Sequence, residues 1–173
     1  MKSFRKLLLA SFAMILVASL AHTQTIQKDY LSNLEADKIR DAETPNEKIK
    51  LFLTFADDRL KKFQYELDHP SPSRHSEILN YMMNSYIGCV DDASDLIQEG
   101  IEKQQNVRAG IDLMSSKAKE YLEVLRKIST DAKEIEIYKF NLDDAIEGTQ
   151  DAISDASALH AVALSNALEA TTP

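Results

Sequence analysis

The chain has 173 residues, 44% hydrophobic and 28% charged, with four Gly, four Pro, one Cys, no Trp and a formal net charge of -8. One cysteine excludes a disulfide-stapled scaffold, and so few Gly and Pro exclude collagen-like and Gly/Pro-rich disordered classes. The size suits one domain, or at most two small ones.

The chain opens with a secretory pattern. Lys2, Arg5 and Lys6 form a positive region, 7–20 is apolar apart from Ser11 and Ser19, and Ser19-Leu20-Ala21 offers small residues where a signal peptidase reads. We expect cleavage after Ala21. The apolar run is shorter than the roughly 20 residues a membrane-spanning helix needs. Removing 1–21 takes away three positive charges and no acids. That leaves 152 residues with 17 Lys+Arg against 28 Asp+Glu, a net charge of -11. Such a chain repels phosphate backbones and anionic membrane surfaces and has no second long apolar run, so neither nucleic acid nor stable membrane insertion is expected. The expected location is periplasmic or secreted. There Cys89, the one cysteine, cannot make an internal disulfide. It reads as a small hydrophobe on a helix face, the alternatives being an intermolecular disulfide or a redox thiol.

Residues 22–31 read as a polar, flexible leader. Ser32-Asn33-Leu34-Glu35 then fits a capping box, in which the Ser oxygen and the Glu carboxylate satisfy free amides at a helix start. A short helix to about Ala42 follows. Thr44-Pro45-Asn46-Glu47 repeats the signal with proline at the first helical position, where its missing N–H had no helical partner. Ile49, Phe52, Leu53, Ala56, Leu60, Phe63 and Leu67 step by threes and fours along this second helix. Leu51 and Phe55 widen the stripe, and Tyr65 shoulders it, so the helix is expected to touch two neighbours.

Two prolines in His69-Pro70-Ser71-Pro72-Ser73 stop that helix. The next is expected near Arg74, capped by Ser73, with Ile78, Met82, Tyr86, Cys89, Ala93 and Ile97 as its stripe. Gly100 and Gly110 bracket a polar patch that reads as a helix end and loop, with a continuous helix as the alternative. Ile111, Met114, Ala118, Tyr121, Leu125 and Ile128 form a further stripe, and Ser129-Thr130-Asp131 is a candidate break. The last stripe is Ile135, Tyr138, Leu142, Ala145 or Ile146, Thr149, and Ala152 or Ile153. The alternation from Glu134 to Tyr138 resembles a strand, but the longer helical period prevails. Seven of the last 23 residues are Ala, which bury little, so 161–173 is expected to be partly disordered or closely packed.

These elements predict an all-α fold: an antiparallel bundle of about four long amphipathic helices preceded by a short one, in one domain over 32–160. No chemistry stands out. HExxH, Cys clusters, CxxCH, GxSxG and Gly-rich phosphate loops are all missing. His75 lies near Ser73, Ser76 and Glu77, but neighbours in sequence do not make a triad. Met82, Met83 and Met114 read as core fillers rather than haem ligands. No enzyme activity and no cofactor are expected.

Two acidic ridges carry the sharper expectation. Asp91, Asp95 and Glu99 recur every four residues beside Asp92 and Glu102. Asp143, Glu147, Asp151 and Asp155 do the same beside Asp144. Like charges at this spacing repel on one helix face. The ridges read as a solvated face, as a docking surface for a basic protein partner, or as a cation site, calcium favouring several oxygen ligands. Neither ridge has an EF-hand loop. The resulting expectation is an exported bundle with a structural or protein-interaction role in the bacterial envelope, the alternative being a cation- or small-ligand-binding bundle. Homo-oligomerisation is open, with the wide stripe of the second helix and the Ala-rich tail as candidate interfaces.

Overall fold

A computed structural model describes residues 29–131 and 133–169. The segment 1–21, most of the leader and 170–173 lie outside the described residues. The elements are α1 (Asn33–Asp41), α2 (Pro45–Asp68), α3 (His75–Glu102), α4 (Arg108–Asp131), a 3₁₀ turn (Ile135–Ile137) and α5 (Lys139–Glu169). The fold is an all-α bundle, and the described residues include no strand.

Both expected capping boxes form. Ser32 and Thr44 each accept from the backbone N–H of the glutamate three residues on, and each glutamate accepts the cap's own N–H in return. Pro45 takes the first position of α2. The α2 stripe is buried from Ile49 to Leu67, and it packs against α3, α4 and α1. Its width is therefore accounted for inside the chain. Between Gly100 and Gly110 the loop reading holds: α3 ends at Glu102, Gln104 takes a left-handed backbone with φ 55°, and the N–H of Gln105 closes onto the carbonyl of Gly100 at 2.7 Å.

The structure departs from the sequence reading at five places. Order begins before the capping box, because Leu31 is buried and the carbonyl of Tyr30 accepts from Arg59 Nη2 at 3.2 Å. Ser73 does not cap α3, whose N-cap is Arg74 with no side-chain cap bond. At the start of α3 the buried residues are Leu79 and Met83, while Ile78 and Met82 are only half-buried. The break after α4 comes later than Ser129-Thr130-Asp131. The helix runs through Asp131, and Thr130 Oγ1 donates to the Arg126 carbonyl inside it at 2.8 Å. The turn falls instead at 133–138, where Glu134 is left-handed (φ 52°) and Ile135–Ile137 is a 3₁₀ turn rather than the start of the last helix. Finally, Tyr65, expected to shoulder the α2 stripe, is exposed, as are Tyr81 and Phe140.

Hydrogen bonds fix the helix directions. Asn46 Oδ1 accepts from the Gly110 N–H at 2.8 Å, and Tyr121 OH donates to the Leu53 carbonyl at 2.6 Å, so α2 and α4 run parallel. Asn141 Nδ2 donates to Asn80 Oδ1 at 2.7 Å, and Tyr86 OH meets Thr149 Oγ1 at 2.6 Å, so α3 and α5 run parallel as well. Helices consecutive in the chain are antiparallel, and α3 makes little contact with α4. The bundle is thus two helical hairpins, α2–α3 and α4–α5, stacked side by side in the same orientation. The loop between them crosses a diagonal.

Candidate functional site

Two regions bring polar side chains together. The first is the seam between α3 and α5, where the acidic ridges lie. The bonds across this seam join residues 61 and 63 apart in sequence, which sets Asp91 and Asp95 beside the stretch of α5 that carries Asp151 and Asp155. Eleven residues separate Asn80 from Asp91, which returns the helix to within about 20° of the same direction. Asp91 therefore leaves α3 near the Asn80 edge of the seam, away from the buried Tyr86. By the same count Asp155 lies within about 40° of Asn141, on the side of α5 that faces α3. All four aspartates are exposed. Burial, and then Asp95, hold the Asp91 carboxyl above its ordinary value. Burial, and then Asp95, also push Asp92 up to about 6.

The ridges are not uniform. Glu99 pairs with Lys103, and Asp143 pairs with Lys139 Nζ at 2.7 Å. Among the described residues, Asp91, Asp95, Glu147, Asp151 and Asp155 have no ion pair within 4 Å. No group of three or more His, Cys, Asp and Glu among the described residues is arranged to hold a metal ion. The seam gathers negative charge without enclosing a coordination sphere.

The second region was not legible as a site. At the end of the bundle where both hairpins turn, His75 lies between two carboxylates. Its Nδ1 is 2.8 Å from Glu66 Oε1 and its Nε2 is 2.6 Å from Glu134 Oε2. Glu66 belongs to α2 and accepts twice more, from Ser71 N–H at 2.7 Å and Ser71 Oγ at 2.9 Å. An imidazole donates through both nitrogens only as the cation, so this geometry is that of an imidazolium. Glu66, and then Glu134, hold the His75 ring above its ordinary value against the opposing effect of burial. The Ser71 N–H, and then His75, hold the Glu66 carboxyl below its own. The one sequence signal was Glu66, a carboxylate between Phe63 and Leu67 on a buried stripe, which calls for a partner. Nothing in the sequence pointed to Glu134, 59 residues beyond His75.

An open cleft of about 240 Å³ occupies this same end, lined in part by Leu67, Asp68, Lys127, Asp131, Lys133 and Tyr138. Lys133 Nζ donates to the Leu67 carbonyl, and Tyr138 OH donates to the Lys133 carbonyl at 2.5 Å. Cys89 is buried on α3, as its helix position suggests. Among the described residues no helix is long and apolar enough to cross a membrane. Compared with protein-family models, with known proteins and with solved structures, the chain matches none.

Proposed function

We propose that this chain is an exported bundle that binds a basic protein partner through the acidic seam of α3 and α5, without turnover. The observation that supports this is the placement of Asp91, Asp95, Asp151 and Asp155. They are exposed, Asp91 and Asp155 stand near the Asn80–Asn141 edge of the α3–α5 seam with Asp95 and Asp151 one turn away on the same helices, and none of them has an ion pair among the described residues. Exposed charge of one sign steers a partner of opposite sign and fixes its orientation more than it adds to affinity.

Export rests on the pattern in 1–21. Mass spectrometry of the product recovered outside the cytoplasm should find a chain that begins at His22. Cross-linking in that compartment should capture a protein with a basic surface. Replacing the four aspartates by asparagine should reduce capture by about tenfold, and raised salt should weaken the unaltered chain's binding in the same way. Capture that is indifferent to both changes would remove the seam from the reading. A rise in melting temperature on adding calcium would favour the cation-binding alternative instead.

A further inference from the structure

The turn end of the bundle holds a device separate from the acidic seam. Two elements meet at His75: α2 through Glu66, which Ser71 of the α2–α3 turn also bonds, and the α4–α5 connection through Glu134. Three other charges nearby are engaged elsewhere, while Asp68, Lys127 and Asp131 line the cleft. Arg74 is paired with Glu77 at 2.7 Å, Lys139 is paired with Asp143, and Lys133 is turned to the Leu67 carbonyl. His75 is thus the side chain that joins the two hairpin turns through opposite charges.

We propose that His75 is a pH-operated latch: its imidazolium ties the α4–α5 turn to the α2–α3 turn, and loss of the proton releases Glu134 and loosens residues 133–138. A neutral imidazole keeps one N–H, so one of the two carboxylates must then face a lone pair. Glu66 is retained by its two bonds from Ser71. Glu134 has a side chain 42% exposed, against 8% for Glu66, and solvent accepts it readily. Glu134 also sits in a left-handed backbone that residues other than glycine adopt reluctantly, so losing its anchor favours a change in the turn. Lys133 and Tyr138 line the cleft, and Tyr138 packs edge-to-face on Phe63 with ring centroids 5.0 Å apart. Loosening the turn therefore opens the cleft toward the apolar end of the core. With both carboxylates ionised, the latch is closed below the His75 titration and opens as pH rises through it.

The test is amide hydrogen exchange on the full chain from pH 5 to 9.5, corrected for the intrinsic pH dependence of exchange, with the His75 ring followed by NMR. Protection at 133–138 should fall about tenfold across the ring's titration, the factor by which one pKa step shifts a coupled equilibrium. Protection at the centre of α2 should stay constant. Glu134→Ala should show the low protection at every pH, and His69→Gln should retain the step. His75→Gln should also lose the step, and if that variant does not fold, Glu134→Ala at an exposed position carries the test. Flat protection while the ring titrates, a ring still protonated at pH 9.5, or a step that survives in Glu134→Ala would each overturn the latch.

Discussion

Arg59 shows how a single charged side chain can organise this protein. Its side chain is 5% exposed on α2, and it donates through Nη2 to both oxygens of Glu35 at 2.9 and 2.7 Å and through Nη1 to Asp58 at 2.7 Å. A buried guanidinium without such partners would be strongly destabilising. The pair also holds α1 in place, because α1 buries no residue of its own. Burial pushes the Glu35 carboxyl up, but the bonds from Arg59 and Ser32 prevail and bring it down to about 2. The sign of the linkage follows from that fall. The ordinary value is 4.5, so the stabilisation is complete above that pH and is lost as pH falls toward 2. Glu35→Gln should therefore lower unfolding free energy by about 1–2 kcal/mol at pH 7, a figure reduced for the water that reaches the pair. The difference from the unaltered chain should shrink steadily between pH 4.5 and 2. Urea unfolding at several pH values checks this, and a difference independent of pH would mean the pair is not its source.

At the level of the helix, most of the fold was legible because its signals are local. Both capping boxes, the double proline after His69 and the stripe of α2 are short-range patterns, and the structure realises each of them. The start of α3 was misread by one residue. Steps of three and four fit both Ile78–Met82 and Leu79–Met83, and the choice depends on where neighbouring helices lie. The break after α4 was misplaced for a related reason. Thr130 satisfies its hydroxyl inside the helix, and the turn is set by His75 and Lys133 meeting groups distant in sequence, with Tyr138 closing on the Lys133 carbonyl. The glycines separate packing from propensity in the same way. A Cβ at Gly110 would lie 2.5 Å from Ile49 Cδ1, at the point where Asn46 ties α2 to α4, whereas one at Gly148 meets nothing within 4 Å. Gly148→Ala should stabilise the protein by about 0.5–1 kcal/mol through helix propensity. Gly110→Ala should destabilise it by about 1–3 kcal/mol through overpacking. Equal effects on melting temperature in the two variants would contradict the packing shown for Gly110.

For the molecule as a whole, the open question in the sequence was which helix lies beside which. Short loops predict antiparallel succession, but they do not reveal that the two hairpins stack in the same orientation. That arrangement depends on contacts more than 60 residues apart, and one of them lies inside the core. Thr149 Oγ1 donates to the Ala145 carbonyl at 2.6 Å, so its lone pair is left to accept from Tyr86 OH. Tyr86 also stacks edge-to-face with Tyr121 of α4, with centroids 5.7 Å apart, which brings both hairpins to one point. Burial pushes the Tyr86 phenol well above its ordinary range, which keeps it a neutral donor. Thr149→Val should leave that buried donor without its acceptor and destabilise the bundle by about 1–3 kcal/mol. Tyr86→Phe alone should have a smaller effect, since Thr149 keeps its bond to Ala145. The double variant should be more stable than the two separate losses predict, by about 0.5–1.5 kcal/mol, because the second change removes the orphaned hydroxyl. Strict additivity in that cycle, measured by denaturant unfolding, would show that the hairpins dock through shape alone and that this hydrogen bond does not set their register.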